Sequence, residues 1–436
     1  MTADTAGERR TRPGSLLRHR DFRLLWIGET TSGVGTAVTS VALPLVAVTT
    51  LNASAFTMGV LGAAAWVPWL FLGLPAGAWV DRLACRPIMV ACDLVAMLAF
   101  VSVPVAAWLG ALSIAQLLAV ALVSGAANVF FSTAYHTYLP SLLSTADLVR
   151  GNAVLQGSEA AANVAGPGVG GLLAQAFGAV TGLLADAVSF AVSAACLLSV
   201  RTREPRQVAA GSRTTTLRQE VREGLRFVAR DPYLRVFVCF GAVSNLVFNG
   251  VQALLVVFLV RVVGLDAGSV GLVFALAAVG GVAGAVMAGR LADRLGTARA
   301  MLLLVLGGPP FALLIPLATL GRLGLAACVL GAMVMVGASV GDNIIIGSFR
   351  QAYTPPELLG RVTASMRFVL FGTIPVGALL GGALGTLLGV RPALWVLLAV
   401  GSGVGSILLV GPIRRHRDLP TGPRQVDVVG FPVELP

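Results

Sequence analysis

Apolar stretches recur along the whole chain, each nearly free of Asp, Glu and Arg and separated from the next by a polar segment. An α-helix needs about 20 predominantly apolar residues to cross the hydrocarbon core of a bilayer. Twelve stretches reach that length, the first at 22–48 and the last at 392–411. The pattern therefore predicts an all-α membrane protein with twelve transmembrane helices.

The longest interior polar segment, 201–233, divides these stretches into two groups of six. Within it, Leu217, Val221, Leu225 and Val228 recur at helical spacing, which predicts an amphipathic helix on the inner membrane surface. The predicted organisation is a cytoplasmic tail at 1–21, a six-helix bundle at 22–200, the linker at 201–233, a second six-helix bundle at 234–411 and a cytoplasmic tail at 412–436.

The two halves also share short motifs. GAWVDR at 77–82 and GRLADR at 289–294 lie 212 positions apart, and Arg150 and Arg361 lie 211 apart. Matches at nearly one offset indicate a duplicated six-helix unit.

Charge is sparse and uneven. Charged residues make up 12% of the chain, against about 25% in a soluble domain. Every basic residue is Arg, which excludes a P-loop lysine and Schiff-base chemistry. The net charge of +11 comes from arginines that flank the apolar stretches, so the positive-inside rule explains it better than nucleic-acid binding. The rule places both termini in the cytoplasm and the protein in the cell inner membrane.

Polar residues form stripes at helical spacing on four of the predicted spans. Such faces must avoid lipid, so they line a cavity or pack against other helices. The cavity candidates are Asn128 on the fourth span, Gln156 and Asn163 on the fifth, and Asn245, Asn249 and Gln252 on the seventh.

Glu29 and Glu159 are the deepest acids, each more than a helical turn inside its span. A charged side chain there costs at least about 2.5 kcal/mol, so we interpret both as candidates for proton coupling. Pairing with a cationic substrate, or hydrogen bonding for packing alone, are the alternatives. Asp93, Asp186 and Asp342 lie nearer span ends, where packing is the favoured interpretation.

Two sets of motifs resemble the major facilitator superfamily over nearly the whole chain. Its loop motif G-x-x-x-D-R-x-G-R-[KR] is matched by Gly77, Asp81, Arg82 and Arg86, and again by Gly289, Asp293, Arg294, Gly296 and, one place late, Arg299. Its antiporter motif G-P-x-x-G-G is matched by Gly166, Pro167, Gly170 and Gly171. Ala84 replaces a motif glycine, and no Arg precedes Gly125 in the fourth span, so a proton relay built on that Arg is not carried over.

The resemblance implies roles for both sets of motifs. The loop-motif residues would form a gating latch that holds the inner side closed, with setting of topology as the alternative. The antiporter-motif residues would make a kinked, closely packed helix that seals the cavity in one state, with generic small-residue packing as the alternative. The N-terminal segment and PPELLGRVTA resemble the subgroup of enterobactin and macrolide exporters.

These observations predict a secondary active transporter that exports a drug, siderophore or secondary metabolite by proton antiport and alternating access. An uptake symporter on the same fold is the main alternative, because a fold does not fix direction. An intramembrane enzyme is disfavoured, since His136 is the only histidine available within the spans and no G-x-S-x-G is present. We expect a monomer in the lipid bilayer whose partners are protons and a small molecule, with no cofactor, metal or nucleic acid.

Overall fold

The computed structural model describes residues 19–80, 83–202, 217–410, 412–420 and 422, and these residues form helices and no strand. Two π turns, Val46–Thr50 and Phe258–Val262, extend α1 and α8, and a 3-10 segment, Pro309–Leu320, extends α10. The helices are α1 Arg20–Leu45, α2 Ala55–Val80, α3 Cys85–Trp108, α4 Ile114–Leu142, α5 Thr145–Phe177, α6 Ala179–Ser199, α7 Leu217–Arg230, α8 Pro232–Val257, α9 Ala267–Leu295, α10 Thr297–Gly307, α11 Gly321–Tyr353, α12 Pro356–Leu388, α13 Val390–Val404 and α14 Ile407–Val410.

Twelve helical passages match the predicted spans. Ten segments of the described residues are long and apolar enough to cross a membrane. One of these, Thr297–Tyr353, reverses at Gly321 (φ +75°) and so supplies two passages. α5 is the remaining passage, and its polar stripe explains why it is less apolar than the others. The predicted twelve-helix, all-α fold is confirmed.

The boundary between the fourth and fifth helices differs from the apolar pattern, which ends one span at 135 and begins the next at 152. α4 continues through Pro140 to Leu142, and α5 begins at Thr145. A proline removes only one backbone N–H, and membrane helices tolerate that loss where other donors satisfy the freed carbonyl. Both helices therefore extend well beyond their apolar cores.

The duplication extends to the backbone itself. The two π turns end at Thr50 and Val262, 212 positions apart. Among residues with positive φ, Gly110 and Gly321 lie 211 positions apart. Gly178 and Gly389 are another such pair, with φ of +88° and +86°. These turns join helices at matching places in the two halves, so the repeat governs where the chain reverses.

Helices α1–α6 pack together as one bundle, and α8–α14 as the second. The bundles meet mainly along two helix pairs, α2 with α12 and α5 with α9. We call the end of the molecule at which α7 lies the linker end, and the opposite end the distal end. α2 and α9 run from the distal end to the linker end, whereas α5 and α12 run the other way.

Glycines on these four helices show that the bundles approach each other most closely at the distal end. A Cβ on Gly171 would lie 2.6 Å from the Cα of Gly271, and one on Gly59 would lie 3.0 Å from the Cα of Gly382. Nearer the linker end, the same helices carry glycines that have no atom within 4 Å of an added Cβ: Gly77, Gly157, Gly289 and Gly360. The space between the bundles is therefore closed at the distal end and open towards the linker end.

Two hydrogen bonds join the bundles at the closed end. The amide of Gln175 donates to a carboxylate oxygen of Asp266 at 2.9 Å. The guanidinium of Arg261 donates to the carbonyl oxygen of Val48, in the π turn of the first bundle, at 3.2 Å. Hydrogen bonds from the side chain and the backbone N–H of Ser269 hold the pKa of Asp266 below its ordinary value. Asp266 thus remains an ionised acceptor at neutral pH.

The linker helix α7 occupies the place where the spacing predicts an amphipathic helix. It packs against α12 and α8, and a Cβ on Gly224 would lie 2.6 Å from the carbonyl oxygen of Arg361. Val228, on the apolar face, is buried. Contact with the second bundle therefore covers part of the face that the sequence alone would assign to lipid.

Candidate functional site

Glu29 lies within electrostatic range of two other acids of the first bundle. Glu29 of α1 is close enough to Asp93 of α3 and to Glu159 of α5 for their carboxyl groups to interact electrostatically. The structure thus brings together the two predicted proton-coupling residues and adds Asp93, which the sequence places near a span end. Grouped acids inside a membrane protein are typical of ion and proton pathways.

Glu29 and Asp93 each have one carboxyl oxygen that is buried and, within the described part of the chain, unpaired. Oε1 of Glu29 and Oδ2 of Asp93 have no hydrogen-bond partner among the described residues, and Asp93 is only 2% exposed. An ionised carboxylate in such surroundings is costly unless it is paired. The phenol of Tyr135, on α4, interacts electrostatically with Glu29 and Glu159 and completes this side of the cluster.

Glu159 differs because it is exposed, and it belongs to α5, one of the helices that border the second bundle. It lies close enough to His136 of α4 to interact with it. The preceding residue, Ser158, accepts a hydrogen bond from the indole of Trp26 at 2.8 Å, which ties α5 to α1. The carboxyl cluster therefore runs from a buried pair to a member that solvent can reach.

The predicted cavity residues fall into two classes. Asn128, Gln156 and Asn163 are exposed on α4 and α5. On α8, Asn245, Asn249 and Gln252 are half-buried. The amide of Asn245 donates to the carbonyl oxygen of Leu370 at 3.2 Å, and that of Asn249 donates to the Asn245 carbonyl at 2.8 Å. Two of the three α8 amides therefore make hydrogen bonds within the second bundle, in addition to any role in lining a cavity.

The G-P-x-x-G-G residues pack α5 against two helices at once. A Cβ on Gly166 would lie 3.2 Å from the Cα of Ala37, and one on Gly170 would lie 2.9 Å from the carbonyl oxygen of Val38, both on α1. Gly171 faces α9, and an added Cβ on Gly271 would lie 2.6 Å from the Pro167 carbonyl oxygen. The motif thus sits at the distal closure between the bundles.

The latch residues that the structure describes lie at the open linker end. Asp81 and Arg82 fall outside the described residues. Arg86 donates to the Leu198 carbonyl oxygen at 2.5 Å within the first bundle. Asp293 and Arg294 are exposed. An added Cβ on Gly77 or Gly289 would have no atom from the described part of the chain within 4 Å. The described residues of both motif copies therefore lie where the two bundles are apart.

The two copies of the loop motif turn differently. Gly296 has φ +90°, which favours glycine, whereas Ala84 has φ −67° and needs none. Gly296 also lies against the C-terminal segment, where Asp418 caps α10 by accepting from the Thr297 N–H at 2.9 Å. The first copy of the motif can therefore carry Ala84 in place of glycine, because its backbone does not adopt a positive φ at that position.

The other two acids have distinct surroundings. Asp186 is 1% exposed, and it accepts from the hydroxyls of Thr39 at 2.6 Å and Ser189 at 3.0 Å, as a packing role requires. Asp342 lines a cavity of about 90 Å³ inside the second bundle, together with Ser244 and Ser339 and otherwise mostly apolar residues. Asp342 is therefore separate from the carboxyl cluster of the first bundle.

Comparison with known proteins agrees with this architecture. A family model described as the Major Facilitator Superfamily matches residues 25–374. The chain belongs to the major facilitator superfamily. It is therefore a multi-pass membrane transporter and not an enzyme, and the predicted family is confirmed.

Relatives within the superfamily cover most of the chain. The multidrug efflux pump Tap of Mycolicibacterium fortuitum is 26% identical over 413 residues, which cover 92% of this chain and 98% of Tap. An MFS-type transporter of Sinorhizobium fredii, y4rN, is 30% identical over 328 residues, covering 74% of this chain and 78% of y4rN. A crystal structure of a mutant of the nucleoside transporter NupG superimposes with a TM-score of 0.75 at 12% identity, covering 89% of this chain and 99% of NupG. That structure supports the superfamily fold.

Proposed function

We propose that this transporter exports a small hydrophobic or amphipathic molecule in exchange for protons. The observation that carries the proposal is the cluster of Glu29, Asp93 and Glu159, which links a buried carboxyl pair to the space between the bundles. Such a path lets a proton pass between an accessible acid and a sheltered one. Substrate and proton would then compete for the same part of the cavity.

Alternating access follows from the arrangement of the bundles. The distal ends touch through glycines, whereas the linker ends are apart. If the linker end faces the cytoplasm, this is the state that loads substrate from inside the cell. Separation of α5 from α9 and of α2 from α12, with closure at the linker end, would release it outside.

Two observations support export over uptake. The G-P-x-x-G-G residues, which resemble the antiporter branch, lie in the distal closure. The similar protein Tap is named as a multidrug efflux pump. An inward gradient of one pH unit and about 100 mV supplies roughly 3.7 kcal/mol per proton, enough for a substrate gradient of a few hundred-fold.

A pH gradient in everted membrane vesicles tests the proposal. With the vesicle interior acidified, an antiporter should accumulate dyes from a fluorescent amphipathic panel inside the vesicle, and nigericin should release them. Addition of dye should also raise the interior pH reported by trapped pyranine. Vesicles without the transporter are the control. Dye leaving the acidic interior faster than in control vesicles would indicate symport and contradict the proposal.

We also propose that both termini are cytoplasmic and that the protein resides in the cell inner membrane. The support is the clustering of arginines at the linker end, including Arg150, Arg294, Arg361 and Arg414. Phosphatase and fluorescent-protein fusions at residue 436 check this directly. We expect fluorescence and no phosphatase activity at that position, and the reverse result would invert the orientation.

We expect Asp81→Asn and Asp293→Asn to lower transport several-fold without loss of insertion or folding, with Asp81 the more damaging. Each acid belongs to one copy of the loop motif, and a carboxylate of this kind can bind the N–H groups of a helix N-terminus when the bundles close. Initial rates per inserted molecule measure the effect, and Asp147→Asn, at the start of α5, is a control. Full activity of both motif variants would leave these acids with a role in topology alone.

A further inference from the structure

Two arginines of the second bundle lie within electrostatic range of each other. Arg350 is near the end of α11, Arg367 is in α12, and their guanidinium groups are close enough to repel each other. Nε of Arg350 is buried and has no hydrogen-bond acceptor among the described residues. Paired guanidiniums with an unused buried donor are suited to an anion, because their fixed forks match the oxygens of an acid.

Arg367 also faces the transport pathway. It is exposed, and it is close enough to His136 of the first bundle to interact with it electrostatically. At 1.5 Å per residue it lies about 16 Å along α12 from Pro356, well inside the bundle. A charged side chain at that depth is expensive in a membrane, so such residues mark pathways and binding sites.

An aromatic surface adjoins this pair. Phe371 lies one helical turn beyond Arg367 on α12, and residues four apart share a helix face. Its ring contacts two indoles of α2 across the bundle interface, with centroid distances of 5.5 Å to Trp66 and 5.3 Å to Trp69. All three rings are half-buried. A flat apolar group can stack here while an attached acid reaches the arginines.

We propose that Arg350 and Arg367 form an acid-binding subsite, and that the transported molecule is an amphipathic aromatic acid. The acid binds between the two guanidiniums, and the aromatic body contacts Trp66, Trp69 and Phe371. The inference rests on the proposed function only in taking the space between the bundles as the transport pathway. It narrows the substrate to molecules that carry an acid on an aromatic framework.

Two rhodamines that differ in one group provide the test. Rhodamine 110 carries a free carboxylate, and rhodamine 123 is its methyl ester. Fluorescence anisotropy with the purified full-length protein in nanodiscs should show at least about tenfold tighter binding of the acid than of the ester. Arg367→Gln should reduce that preference to less than twofold by weakening the acid alone, while Arg367→Lys should keep part of it.

Arg322→Gln is the matched control, because Arg322 is exposed at the distal end of α11. Arg350→Gln is the second variant, and thermal unfolding verifies that each protein is folded. The proposal is overturned if the acid fails to bind, if the wild type binds the ester equally well, or if Arg367→Gln and Arg322→Gln keep the same preference. Because binding is measured without a pH gradient, loss of proton-driven export with an intact preference would contradict only the proposed function.

Discussion

Gly171→Ala should lower the rate of transport by about tenfold or more, the effect of a destabilisation near 1.4 kcal/mol. The new Cβ would lie 2.6 Å from the Cα of Gly271 and 2.7 Å from the carbonyl oxygen of Ala267. Both are backbone atoms, so α5 and α9 must move apart at the distal end. The distal-closed state is then disfavoured, and a cycle that passes through it slows.

Gly157→Ala is the control for this substitution. Gly157 lies on the same helix with no atom within 4 Å of an added Cβ, and alanine favours a helix by about 1 kcal/mol. Its transport rate should stay within about twofold of the wild type. Cysteine-free protein with Ala174→Cys, a position near the distal end of α5 that is 6% exposed, should react faster with a membrane-impermeant maleimide when Gly171→Ala is present. Equal transport and equal labelling in the two alanine variants would show that this contact does not control distal closure.

Glu29→Gln should lower pH-driven transport by about tenfold or more while substrate-for-substrate exchange persists. Glutamine has nearly the shape of glutamate but cannot release a proton. Oε1 of Glu29 is buried without a partner beside Asp93, so the substitution removes a sheltered titratable group and preserves the packing. Proteoliposomes measured with and without an imposed pH gradient separate the two activities.

Glu159→Gln, measured alongside, tells which acid carries the proton. The sequence pattern makes both residues candidates, whereas the structure shows Glu159 exposed and Oε1 of Glu29 buried. We therefore expect Glu159→Gln to slow pH-driven transport less than Glu29→Gln does. Full pH-driven transport by Glu29→Gln would rule that residue out as the proton carrier. Loss of exchange as well would assign it to substrate binding or packing.

The sequence predicts the features that depend on runs and repeats. Apolar length alone gives the helix count, and the repeated loop motif anticipates a duplication that the structure extends to its turns at Gly178 and Gly389. The depth of Glu29 and Glu159 also follows from counting residues along a span. Membrane solvation leaves few alternatives for these properties, because every backbone polar group must be satisfied within a helix.

The hydrophobic pattern does not predict features that depend on how each helix is rotated about its own axis. Asp93 comes within electrostatic range of Glu29 only through the way that α3 and α1 are placed around the bundle. The positive-inside rule explains the position of Arg350 as well as a binding role does, so Arg350 does not by itself indicate a binding site. Arg367 is the residue from which the sequence could have predicted one. An arginine inside the predicted eleventh span is costly, and it could have marked the second wall of the cavity.

The distal closure has a thermodynamic consequence of its own. It is made where glycine backbones meet, at Gly171 with Gly271 and at Gly59 with Gly382. Burying a long side chain costs up to about 2 kcal/mol of rotamer entropy, whereas glycine has no rotamers to lose. Opening and closing these contacts therefore exchanges little side-chain entropy. These contacts should therefore add little temperature dependence to the equilibrium between the two states. A transporter must adopt both states in every cycle, so such contacts allow it to do so over a range of temperatures.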